Sequence, residues 1–158
     1  MYCKINYSNF NECEKINFIQ LPRFFIKLAF KGTHYHGWQI QANASSVQSI
    51  IDNSLSLLLQ EKIKTLGAGR TDKGVHAKEF YAHFDTLGEK NMDTNFITRL
   101  NSFLPKDIAV YKIFKVNDDL HARFGAISRT YEYQIHQKKN PFFDGFSYYI
   151  YKPLDIEK

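Results

Sequence analysis

Hydrophobic and polar residues alternate along residues 24–30, with Phe24, Ile26, Leu28 and Phe30 on one side and Phe25, Lys27 and Ala29 on the other. A period of two predicts a strand with one buried face. Val47, Ile50, Ile51, Leu55 and Leu58 then fall on one helical face, Ser54 being the small polar member of the stripe, and Ser45 with Gln48 fits a capping box. Residues 63–66 predict a short strand stopped by Gly67-Ala68-Gly69, and Phe80, Ala82 and Phe84 alternate with Tyr81 and His83 in the next. Phe96, Ile97, Leu100, Phe103 and Leu104 trace a second helix, stopped by Pro105. Ile108, Val110, Phe114 and Val116 predict one side of a long strand. Tyr131, Tyr133 and Ile135 predict the buried side of another, opposite Thr130, Glu132, Gln134 and His136. The order β-α-β-β-α-β-β predicts an α+β layer, a mixed or antiparallel sheet with helices on one face. Residues 1–22 read as a loosely ordered leader before a domain that occupies 23–158. Residues 153–158 read as the opening of a helix, with Asp155 a candidate cap, as in a cut inside a larger fold.

Composition narrows the classes without naming one. The chain has 158 residues, enough for one domain with a core of its own, and 44% hydrophobic with 23% charged residues excludes a mainly disordered chain. No apolar run approaches the ~18 residues of a membrane helix, and residues 1–20 lack a secretory pattern. Cys3 and Cys13 sit far from any His pair at ligand spacing, so neither a disulfide framework nor a zinc site is expected and a reducing cytoplasmic setting is. The net charge of +5 is spread along the chain; a mild positive field suits a nucleic-acid partner without requiring one.

The densest chemistry lies in Gly67-Ala68-Gly69-Arg70-Thr71-Asp72-Lys73-Gly74-Val75-His76-Ala77. The glycines let a backbone approach a ligand closely, and Asp72 stands between two cations, Arg70 and Lys73. A charged carboxylate held in a tight loop can serve as nucleophile or base; the plain alternative is a surface turn with an incidental salt bridge. The spacing fits neither a dinucleotide fingerprint nor a P-loop. His34 and His36 lack a third ligand, which favours a polar loop face over a metal pair. Trp38 with Gln39 and Gln41 could stack on and hydrogen-bond to RNA, against the alternative of a core anchor. Arg123 and Arg129 could pair with phosphates, and Tyr131 reads as core in its strand.

Taken together these segments resemble the tRNA pseudouridine synthase A family. Gly69-Arg70-Thr71-Asp72-Lys73-Gly74-Val75-His76-Ala77 is similar to its active-site motif. Gly37-Trp38-Gln39, Ser46-Val47-Gln48, Asn101, Leu104-Pro105, Asp107-Ile108, His121-Ala122-Arg123-Phe124 and Arg129-Thr130-Tyr131 follow the family's order. The resemblance runs from about residue 24 to residue 155. It departs at Lys31, where the family usually has Asp, at Phe80, where it often has Gln, and in the family's continuation past residue 158.

The resemblance implies a ferredoxin-like sheet forming the first half of a pseudo-symmetric catalytic domain, with a basic cleft and a homodimer binding tRNA. It implies isomerisation of uridine to pseudouridine in the anticodon stem-loop, without cofactor or metal. Asp72 would be the catalytic carboxylate, attacking the sugar or taking a proton from it. Arg70 would pair with Asp72 and hold the flipped-out nucleotide, at an unstacking cost of a few kcal/mol. Tyr131 would pack against the target base, and Arg123, Arg129, Trp38 and Gln39 would meet the RNA. Two other classes compete: a non-catalytic RNA-binding α+β module or inactive relative, and a hydrolase using Asp72, for which no partner motif is present.

Overall fold

The computed structural model describes residues 21–154. Residues 1–20 of the leader, with Cys3 and Cys13, and the Asp155 cap lie outside the described residues. The chain runs β1 (Arg23–Phe30), α1 (Val47–Leu59), β2 (Leu66–Gly67), β3 (Ala77–Asp85), α2 (Thr94–Phe103) and β4 (Ile108–Val116), followed by the short β5 (Ile135–His136) and β6 (Tyr148–Tyr149). The first four strands form one sheet in the order β2-β3-β1-β4. Every pairing in it is antiparallel, so the sheet is not mixed. Two interleaved split β-α-β units give this order, the β-α-β-β-α-β pattern of ferredoxin-like sheets.

Alternation in β1 sends Phe24, Ile26, Leu28 and Phe30 into the core, where they join Val47, Ile51 and Leu55 of α1 and Leu100 of α2. Phe80, Ala82 and Phe84 of β3 complete the same layer. The helices therefore cover one face. Asn101 fastens α2 to the outer strand, donating through Nδ2 to Val110 O and accepting the Val110 N–H, both at 2.8 Å.

Four expectations need correction. The cap of α1 is Ser46, not Ser45: its hydroxyl accepts the Ser49 N–H at 3.2 Å. Gln48, freed from capping, accepts the Ile40 N–H and donates to Thr65 O. The strand expected over residues 63–66 is displaced to Leu66–Gly67, because the Thr65 N–H and hydroxyl both donate to Asp52 and its carbonyl is taken by Gln48. In β4 the register slips opposite Lys27 and Leu28, which reverses the side-chain parity. Ile113 is therefore buried with Ile108 and Val110, while Phe114 packs against Phe25 on the other face.

The largest difference is in residues 130–134, which form no strand. Tyr131 and Tyr133 are 64% and 88% exposed, and Ile135 is exposed in the two-residue β5, which pairs in parallel with β6. Their alternation was real, but no helix or sheet lies across from it among the described residues.

Candidate active site

Asp72 sits on the loop between β2 and β3, and this loop is fixed by its backbone. Gly37 takes φ +85°, and a methyl group there would overlap the Thr71 carbonyl oxygen. Gly32 is equally close to the Val75 carbonyl. These two glycines let the residue 31–38 loop lie flat against the Asp72 loop. Hydrogen bonds then stitch the two: the Trp38 N–H donates to Thr71 Oγ1 at 2.9 Å and the Gly74 N–H to Tyr35 O at 3.2 Å. The Gly32 N–H donates to His76 Nδ1 at 2.9 Å, which leaves Nε2 protonated to donate to Gly145 O at 2.7 Å. Tyr35 pins the assembly to the start of β4 by donating its hydroxyl to Asp107 at 2.7 Å; burial first, then this bond, raises its pKa and keeps it a donor.

The Asp72 side chain itself is exposed, as are those of Arg70 and Lys73, and none of the ion pairs among the described residues involves them. The expected Arg70–Asp72 pair is therefore absent from this arrangement. What the loop offers is a pinned main chain carrying a free carboxylate.

Beside the loop lies a cleft of about 170 Å³, lined in part by Trp38, Gln39, Arg70, His121, Arg123 and Phe124. Four residues singled out in the sequence thus share one depression. Trp38 is its floor rather than a free platform: the ring is 2% exposed and packs on Phe80 with centroids 4.4 Å apart. Gly67 is the residue that makes room for the indole, since a methyl group on it would collide with the ring. Trp38 is a core anchor here, whereas Phe124 on the same cleft is exposed. Arg129 approaches the same loop from behind and hydrogen-bonds to its backbone. Tyr131 is exposed outside any strand. His34 and His36 are exposed, and among the described residues no group of three or more His, Cys, Asp or Glu is placed to hold a metal ion. No described helix is long and apolar enough to cross a membrane.

One residue of the site escaped the sequence. His83, on the sheet face away from the helices, is 1% exposed, and its Nδ1 accepts the Ala122 N–H at 3.1 Å. It seats the turn over residues 121–125 that brings His121, Arg123 and Phe124 to the cleft. His121 in turn accepts the Arg123 and Phe124 N–H groups at 3.1 and 3.4 Å, which shapes the turn from within. A lone His on the polar side of β3 carries no sign in the sequence that a turn nearly forty residues later covers it.

Comparison with known proteins bears on what this arrangement is. The family described as tRNA pseudouridine synthase matches residues 27–125. A Bacteroides fragilis protein named tRNA pseudouridine synthase A is 47% identical over 140 residues, covering 89% of this chain and 56% of the relative. Namesakes from Porphyromonas gingivalis and Aquifex aeolicus are 45% and 37% identical, each over 87% of this chain and 55% and 57% of their own length. The chain spans little more than half the length of these curated relatives. At the two positions where the sequence departs from the resemblance, Phe80 supplies the ring on which Trp38 rests and Lys31 lies over Phe146 at 4.5 Å from the ring centre. The match, the ordered motifs and the pinned loop around Asp72 lead to one assignment: the chain belongs to the tRNA pseudouridine synthase family.

Proposed function

We propose that this chain is the first half of the catalytic domain of an enzyme that isomerises uridine to pseudouridine in the anticodon stem-loop of tRNA. The observation that carries the reading is the Asp72 loop. Its backbone is fixed by Gly32, Gly37 and Tyr35 while its carboxylate stays free beside a cleft that holds Arg70 and Arg123. A carboxylate held in place yet unpaired is placed to react with a sugar brought to it.

In the reaction the N1–C1′ bond breaks, the base turns, C5 bonds to C1′, the C5 proton leaves and N1 gains one. No electron or phosphoryl group is exchanged, so the reading includes no cofactor. Asp72 attacks C1′ and is displaced when C5 bonds there, or removes a sugar proton that returns once C5 has bonded; Arg70 and Arg123 meet the RNA backbone, where contacts position without reading sequence. Tyr131 contacts the target base. A second, pseudo-symmetric half completes the cleft, and the working protein is a cytoplasmic homodimer.

The test uses the protein expressed from its whole reading frame and tRNA tritiated at uridine C5. Release of tritium to water is expected with the wild type and not with Asp72→Ala. Tight tRNA binding by the wild type without release would leave a non-catalytic RNA-binding module.

A further inference from the structure

Arg129 looks like a free surface cation in the sequence, but its guanidinium is occupied. Nε donates to Ala68 O at 3.0 Å, and Nη2 donates both to Ala68 O at 2.7 Å and to Arg123 O at 2.8 Å. Gly69 leaves room for this approach: a methyl group there would come within 3.3 Å of Nε.

Building on the reading of Asp72 as the reacting carboxylate, we propose that Arg129 is a positioning residue that clamps the Asp72 loop to the turn over residues 121–125, and is not a phosphate ligand. The geometry has three parts. Ala68 is the last ladder residue before the loop, its N–H bonded to Tyr81 O at 2.7 Å, so a hold on its carbonyl fixes the loop's upstream end. Thr71 and Gly74 tie the loop to residues 31–38 and the Ala68 N–H ties it to β3, so Arg129 supplies the hold on the Ala68 carbonyl and the one tie described here from this loop to the 121–125 turn. The third bond, to Arg123 O, ties the opposite wall of the cleft to the same guanidinium, so one side chain sets the spacing between the Arg70 and Arg123 sides. A planar fork with fixed donors suits two carbonyls at once; a lysine ammonium lacks that geometry.

The test compares Arg129→Gln and Arg129→Lys with the wild type in two independent arms. In the first, amide hydrogen exchange on the present chain should quicken roughly tenfold at Ala68, Gly74 and Val75 in both variants while Ile26 and Leu28 in β1 keep their rates. In the second, turnover at saturating tRNA should fall on the order of ten- to a hundredfold in the whole protein, with tRNA affinity and its salt dependence unchanged and no rescue by lysine. The opposite pattern overturns the proposal: unchanged loop exchange, weaker tRNA binding, a salt slope reduced by about 0.7–0.9 for the lost phosphate contact, and rescue by lysine. A wild type that makes no pseudouridine would defeat the enzymatic reading, and the exchange arm would still decide the clamp.

Discussion

His83 should make this protein acid-sensitive, and the size of the effect follows from its surroundings. The imidazole is buried against the Phe25 and His121 rings, with the Arg23–Asp85 pair nearby. Burial, and then the positive field of Arg23 and the His121 ring, pull its pKa down from 6.5 to about 4, with Asp85 opposing weakly. The unfolded chain therefore takes up the proton first as pH falls. A depressed folded-state value means the contribution is intact above pH 6.5 and is lost as pH drops through the window down to 4. Each pH unit in that window costs about 1.4 kcal/mol, so between pH 7.5 and pH 5 the protein loses about 2 kcal/mol through this one ring. Protonation also converts Nδ1 from acceptor to donor, which sets it against the Ala122 N–H and unseats the turn that carries Arg123.

The comparison variant is His83→Asn, whose Oδ1 can accept from Ala122 but does not titrate. Trp38 is the single tryptophan and is buried, so its fluorescence follows urea unfolding of the core. Burial raises the Asp52 pKa, so this carboxyl gives an acid dependence of opposite sign, which both proteins share and the difference removes. Wild type should lose about 2 kcal/mol more than His83→Asn between pH 7.5 and pH 5. Parallel stability curves would show that the ring carries no acid-linked stability and that burial does not lower its basicity.

Four further outcomes are expected. Asp72→Asn should abolish pseudouridine formation in the whole protein while leaving tRNA affinity and the urea midpoint nearly unchanged, because the side chain is exposed; retained turnover would remove it from the chemistry. Gly37→Ala should destabilise by roughly 2–4 kcal/mol, since it adds overlap with Thr71 to the cost of positive φ, whereas Gly88→Ala, at φ +80° in open space, should cost only about 1–2 kcal/mol. Equal losses in denaturation would show that the two loops do not need their close approach. Tyr131→Phe should move stability by less than about 0.5 kcal/mol, as expected for an exposed side chain, yet lower turnover sharply; normal turnover would end its role at the base. The exposed aromatic surface that includes Tyr133, Phe142, Tyr148 and Tyr151 should make the isolated chain self-associate in sedimentation at micromolar concentration, and a compact monomer would contradict that.

Much of this was legible in the sequence, and the failures share a cause. The faces of β1 and β3 and the stripe of α1 follow directly from periodicity, because each element buries one face against a layer that exists. The α1 cap was misplaced by one residue because Ser45 and Ser46 are chemically alike, and only the structure shows which hydroxyl meets the Ser49 N–H. The β4 slip leaves no mark in composition, so Phe114 was assigned to the wrong face. Tyr131 and Tyr133 alternate as a buried strand does, yet periodicity cannot report whether anything lies opposite. In the site, the motif announced Asp72 and the cleft gathered Arg70, Arg123, Gln39 and Trp38. It did not announce that Trp38 faces inward or that Arg129 turns toward its own backbone.

These misreadings point to a division of labour within the site. In the proposed reaction the chemistry falls to a single exposed carboxylate, whose side chain forms none of the ion pairs among the described residues. Around it, Gly32 and Gly37 lie against main-chain carbonyls, and the side chains of His76, His83 and Arg129 direct their hydrogen bonds to main-chain atoms of other segments. Backbone-directed contacts of this kind are blind to the identity of the side chains they hold, so sequence patterns name the residues without revealing their direction. The same separation gives the site its experimental signature. Changes at Asp72 should alter rate alone. Changes at the surrounding residues should alter rate together with local exchange or stability, because a carboxylate that owes its position to pinned main chain loses that position when any one of its anchors is released.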